Sequence, residues 1–73
     1  MRLREFRRAV VDEFGDRGAV LTADLVLGEL GGRTADEALA AGMDAETVWV
    51  ALCRATDVPQ HRRHGVGLAE PPR

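Results

Sequence analysis

Few residues in this sequence have types and spacing that could support chemistry. Cys53, His61 and His64 supply three metal-ligating side chains, whereas a structural zinc site takes four with paired spacing of the CxxC kind. The trio therefore predicts no metal site. No His or Lys on its own helix is placed to generate a thiolate at Cys53, which reads as a small apolar residue at the edge of a packed face. Asp12 with Asp16, and Asp36 with Asp44, are the carboxylate pairs that acid–base chemistry would use. Nothing around them sets one in an apolar pocket and the other in water, so they read as helix caps and solvated faces. The run GELGGRT follows a helix-like segment rather than a strand and lacks the phosphate-binding Lys of a P-loop. The 73 residues contain no Ser, Tyr or Lys, which removes the common hydroxyl nucleophile, phenolic proton donor and Schiff-base amine. The expectation is a protein that is not an enzyme and takes no cofactor.

What remains is recognition. Arg4, Arg7 and Arg8 fall in the first two turns of the first helix, with Arg2 at its mouth. A helix N-terminus favours acids over bases by roughly 0.3–1 kcal/mol per exposed charge, so this placement is locally unfavourable. It suggests a basic patch for an acidic protein surface or for nucleic acid; the plain alternative is neutralisation by Glu5, Asp12 and Glu13, with Arg8 and Asp12 four residues apart. Arg62, Arg63 and the two histidines could extend such a patch from the C-terminal side. A second candidate surface is the outward side of the last helix, where Val50 lies beside Arg54. Trp49, the sole indole, is expected in the core.

The elements that must position these residues are helical. Leu3, Phe6, Val10 and Phe14 recur at spacings of three and four, an apolar stripe opposite Glu5, Arg8 and Asp12, and Gly15 ends the helix. Val20 to Leu30 carries apolar residues on two sides and is expected to be the most buried helix, stopped by Gly31 and Gly32. Thr34 and Glu37 form a capping box that starts a short third helix running to Gly42. Asp44 caps a fourth helix with Val48, Trp49, Leu52 and Thr56 inward, and Asp57, Val58 and Pro59 close the folded part. The remainder, QHRRHGVGLAEPPR, has no periodicity and predicts a mobile tail.

A chain of this length buries only about 60% of the surface that its unfolded form exposes, which leaves room for one small domain. One cysteine allows no intrachain disulfide, and no signal-peptide core or apolar run of about 20 residues occurs, so a cytoplasmic location without membrane contact is expected. Formal charge is uneven within a net charge of -2: residues 34–57 hold one Arg against five acids, and residues 58–73 three Arg against one acid.

The stretches RLREF, Phe14 with Gly15, LGELGGRTADEALAAG and VWVALCRATDVP, followed by Arg62 or Arg63, resemble a small actinobacterial domain of unknown function that is often encoded close to the gene for the RecA recombinase. The resemblance runs over residues 1–15 and 26–59, roughly two thirds of the chain, and GGRT with EAL, then VW and DVP, are its specific parts; Asp16 to Thr22 departs from the pattern in lacking aromatic residues. The resemblance implies a compact, helical, non-secreted protein and transfers no catalytic residues. Ala38, Gly42 and Val48 also stand where a helix-turn-helix places a small residue, a turn glycine and an inward aliphatic. The following helix presents Glu46, Thr47, Val50 and Arg54 within an acidic stretch, which would repel a phosphate backbone. The same stretch is more weakly similar to the last two helices of ubiquitin-associated-type domains, which bind protein partners.

The sequence therefore predicts an all-α fold: residues 1–59 as a compact bundle of three to four short helices with a helix-turn-helix-like C-terminal half, and residues 60–73 as a disordered tail. The expected function is a non-enzymatic cytoplasmic protein-interaction module, accessory to DNA repair or recombination by the genomic habit of the resembling family. Its alternative is a nucleic-acid-binding protein that uses the first-helix arginines and the basic tail. Partner-binding candidates are Arg4, Arg7, Arg8, Val50, Arg54, Arg62 and Arg63.

Overall fold

The computed structural model describes residues 1–62. Helix α1 spans Leu3–Phe14 and buries Phe6, Ala9 and Val10, with Phe14 partly buried. Leu3 leaves the expected stripe and is 51% exposed, while Met1, ahead of the helix, packs against the core. A 3-10 turn over Gly15–Arg17 leads into α2, Gly18–Asp24.

The segment from Val20 to Leu30 is not one helix. α2 ends at Asp24, and strand β1 (Val26–Leu27) pairs antiparallel with β2 (Arg33–Thr34), Val26 opposite Thr34 and Leu27 opposite Arg33. The fold is thus mostly helical with a small two-stranded sheet, not purely all-α. The glycines permit the reversal that brings β1 to β2. Gly28 would cost about 1 kcal/mol inside a helix relative to Ala. It instead opens a 3-10 turn, Gly28–Leu30, after which Gly31 and Gly32 take φ of 72° and 81° and reverse the chain. The Gly31 amide donates to the Gly28 carbonyl and the Gly32 amide to the Leu27 carbonyl, both at 3.1 Å, so the reversal satisfies its own backbone. Leu27 and Leu30 are buried as an apolar pair of the hairpin, whereas Val20 and Val26 are exposed.

The most buried element is instead α4, Ala45–Ala55, where Ala45, Val48, Trp49, Ala51, Leu52 and Cys53 are all buried. It packs against α1, β1, the Gly28–Leu30 turn and α3 (Ala35–Ala40), so apolar residues are needed on several of its sides. That breadth carries Cys53 fully into the core rather than to its edge, and leaves Val50 half-buried rather than outward. Trp49 stacks edge-on against Phe6, with ring centroids 6.1 Å apart and planes at 89°, and against Phe14 at 6.3 Å and 68°.

Helices of six to twelve residues are marginal alone, so their ends carry unusual weight. At α3 the expected capping box is present: the Glu37 amide donates to Thr34 Oγ1 at 3.1 Å and the Thr34 amide to Glu37 Oε1 at 2.9 Å. Asp44 caps α4 by accepting from the Thr47 amide at 3.2 Å. At the mouth of α1 only half a box exists: the Arg2 amide donates to Glu5 Oε1 at 2.7 Å, and an arginine side chain has no acceptor to return the bond. Both C-termini close by the Schellman pattern. Met43 donates to Ala38 and Gly42 to Leu39 at 3.0 Å after α3, and Val58 donates to Cys53 at 3.0 Å and Asp57 to Arg54 at 3.4 Å after α4. The left-handed residue is Gly42 in the first motif but Asp57, with φ of 60°, in the second. The expected tail from residue 60 opens with a 3-10 turn, Gln60–Arg62, joined to α1 through Arg62 and Glu13; residues 63–73 of that tail lie outside the described residues.

Thr34→Ala removes one orphan-donor partner at α3 and is expected to cost about 1 kcal/mol, read as a lower urea midpoint at unchanged slope. Gly18 is buried in α2 at ordinary helical angles, where Ala should gain nearly 1 kcal/mol from propensity. A Cβ there would stand 2.5 Å from Val10 Cγ1 and 3.3 Å from the Val10 carbonyl oxygen, and a β-branched side chain has little freedom to yield. Gly18→Ala should therefore lower the thermal midpoint, by an overpacking cost of about 1–3 kcal/mol; a raised midpoint would contradict this packing. Asp57→Gly should do the reverse and stabilise by about 0.5–1 kcal/mol, since it relieves a left-handed Cβ and removes an acid from the negative end of α4. Calorimetric unfolding of the variant beside the parent chain checks the sign.

Candidate functional site

With Phe6, Ala9 and Val10 turned inward, the 100° step of α1 brings Arg4, Arg8 and Val11 onto the opposite side, with Arg7 and then Leu3 along the flank that leads back to Val10. Leu3 is 51% and Val11 63% exposed. Sequence reading missed both as surface residues. Leu3 stands three residues from Phe6 and seven from Val10 as well as four from Arg7, so spacing alone sets it at the border of the buried stripe, and no neighbour arrives to cover it.

The arginines on this arc differ in what holds them. Arg7 Nη1 donates to Asp36 Oδ1 at 3.1 Å, tying α1 to the first turn of α3, and its guanidinium carbon lies 5.8 Å from the centre of the Phe6 ring. Arg8 Nε stands 3.8 Å from Asp12 Oδ2, the expected pair along the helix. Arg4 is exposed and, among the described residues, has no acid within 4.0 Å. Pairs as exposed as these stabilise by about 1 kcal/mol at most, so a partner's carboxylate can compete for Arg7 and Arg8.

The other candidates lie elsewhere and serve as struts. Arg54 Nη1 donates to Glu29 Oε1 at 3.0 Å, joining α4 to the hairpin turn. A groove of about 240 Å³ runs between these two elements, lined by Leu27, Gly28, Glu29, Ala51, Arg54 and Ala55. Val50, half-buried, does not line it. Arg62 Nη2 donates to Glu13 Oε2 at 2.6 Å, and the Glu13 side chain is only 13% exposed. Glu13 is nine residues beyond Arg4, about 13 Å along the axis, so Arg62 does not join the Arg4 surface. Arg63 and His64 lie outside the described residues.

The chemistry-bearing side chains are placed as follows. Cys53 is in the core and His61 is on the exposed Gln60–Arg62 turn. Three of the four candidate carboxylates are engaged in structure, Asp12 with Arg8, Asp36 with Arg7, and Asp44 as the α4 cap, while Asp16 is exposed on the Gly15–Arg17 turn. A second cleft, about 210 Å³, is lined by Glu13, Phe14, Arg17, Leu21 and Thr56. The Thr56 hydroxyl there donates to the Leu52 carbonyl at 2.8 Å, as a helix-end residue does. Among the described residues, no helix is long and apolar enough to cross a membrane.

No curated protein and no solved structure matches the chain. A family model described as a protein of unknown function, DUF3046, matches residues 1–61. The matched span takes in α1, α2, the hairpin, α3 and α4, and reaches the final turn. With every helix and strand of the described residues inside that match, the chain belongs to the DUF3046 family of proteins of unknown function.

Proposed function

We propose that this protein is a small, non-enzymatic interaction module of the cytoplasm that recognises a protein partner through the outer arc of α1. The observation that carries this reading is the exposure of Leu3 and Val11 in line with Arg7 and beside Arg4 and Arg8. Arginine beside exposed aliphatic surface is the composition of a protein interface, where the apolar groups are desolvated and the guanidinium finds carboxylates. The resemblance to a family encoded near the RecA recombinase points to a partner in DNA repair or recombination.

Nucleic-acid binding through the first-helix arginines and the tail is the second reading, supported by Arg2, Arg4, Arg7 and Arg8 falling within eight residues. Against it, Asp12 and Asp36 sit on or beside that surface and Arg62 is held by Glu13. The order α3, turn, α4 is helix-turn-helix-like, yet α4 offers a groove the exposed Glu46 and Thr47 at its start, with Arg54 drawn to Glu29. Base reading needs donors and cations at those places.

Affinity capture from an actinobacterial lysate tests the assignment. The parent chain and Ala55→Arg, which fills the groove beside α4, should retain the same captured protein. Arg4→Glu with Arg8→Glu should lose it at an unchanged thermal midpoint, since exposed charge changes alter stability by only about 0.5 kcal/mol. The opposite pattern would move the site to α4. Capture of DNA that weakens by orders of magnitude between about 50 and 200 mM salt would favour the second reading.

A further inference from the structure

Resting on the α1 reading above, we infer that the partner element is an acidic amphipathic helix, docked along α1 with its apolar stripe on Leu3 and Val11 and its carboxylates on Arg4 and Arg8. Two ridges define the surface. Leu3, Arg7 and Val11 follow one line at spacings of four, and Arg4 and Arg8 follow the adjacent line at the same spacing. Successive residues on such a line are about 6 Å apart, the rise of another helix's own i, i+4 rows. A partner helix with an acid at every fourth position and leucines on the neighbouring row therefore meets both ridges in register, whereas an extended strand, advancing about 3.3 Å per residue, does not.

Charge complementarity selects an acidic partner. Arg4 has no carboxylate within 4.0 Å among the described residues, and Arg8 reaches Asp12 only at 3.8 Å, so both guanidinium groups retain donors for a bidentate acceptor. Arg7, already bonded to Asp36, would stand between Leu3 and Val11 with its stem covering apolar surface. The apolar residues select a peptide over a phosphate backbone. Leu3 and Val11 would be pressed against charge by DNA, and Asp12 and Asp36 beside the arc would repel closely spaced phosphates. A peptide helix brings only a few carboxylates and a stripe that covers the apolar pair. A single twelve-residue helix offers about 18 Å of length, so the contact falls below the size of permanent interfaces and should be a weak, exchanging one.

Fluorescence anisotropy on the full chain decides the matter with three labelled probes: a capped synthetic helical peptide with leucines at i, i+4 spacing and a glutamate beside each, a scrambled peptide of the same composition, and a short DNA duplex. The ordered peptide should bind about ten-fold or more tightly than the scrambled one and more tightly than the duplex at physiological salt. Arg4→Glu with Arg8→Glu should weaken it by at least that factor, and so should Val11→Asp. A peptide with each glutamate replaced by lysine should bind the double-glutamate variant and not the parent, a charge-swap rescue that a misfolded variant could not give. Equal binding of ordered and scrambled peptides, insensitivity to Val11→Asp, absence of the rescue, or preference for the duplex would each overturn the inference. If no peptide binds while lysate capture still depends on Arg4 and Arg8, the helix chemistry fails and the interaction reading survives; if capture ignores those arginines, both fail.

Discussion

The packing of Trp49 between Phe6 and Phe14 is the contact on which the rest of this structure depends. These three residues are all the aromatic side chains that the chain possesses, and they meet in one place. Most other buried positions are Ala, Val or Leu, with Ala9, Ala35, Ala38, Ala45 and Ala51 letting backbones approach closely. An indole that buries some 150–250 Å² is a large share of the apolar surface available to so small a domain. Because Phe6 and Phe14 lie eight residues apart on α1, the indole grips that helix at two points and fixes its rotation. The outer arc with Leu3, Arg4, Arg7, Arg8 and Val11 is a consequence of that grip.

Short helices need their ends held, and the chain does so with local chemistry rather than with length. Thr34 with Glu37, Asp44 with Thr47, and the backbone closures beyond Ala40 and Ala55 satisfy donors and acceptors that a six- or eleven-residue helix would leave to water. The Gly31–Gly32 reversal performs the same task for the hairpin and delivers Thr34 to the N-cap position just before α3. Strand pairing and helix capping thus meet at Thr34, which pairs with Val26 on one side and opens α3 on the other.

Electrostatics sorts the arginines into two groups. Arg7, Arg54 and Arg62 bridge elements 29, 25 and 49 residues apart in the chain, each to a carboxylate from a different element. Each such pair adds little stability when solvent reaches it, and each gives its guanidinium a carboxylate from another element that a partner would have to displace. Arg4 stays outside that bookkeeping and keeps its charge beside exposed aliphatic carbon, which is why the first turns of α1 carry the functional interpretation.

Much of the local structure was legible in the residues themselves. The α1 and α4 apolar rows, the Thr34–Glu37 box, the Asp44 cap, the core place of Trp49 and the Arg8–Asp12 pair depend on spacings of three and four, which sequence displays directly. What sequence could not decide were the outcomes of competition between distant groups. Val20 to Leu30 has enough apolar residues for a buried helix, and it breaks at Asp24 because β1 finds β2 and Leu27 and Leu30 find α4. Arg7, Arg54 and Arg62 read as members of one basic set until Asp36, Glu29 and Glu13 are brought to them by folding. Leu3 and Val50 changed sides for the same reason: a period says which residues share a face, and only the neighbours that arrive at that face determine how far along it the core extends.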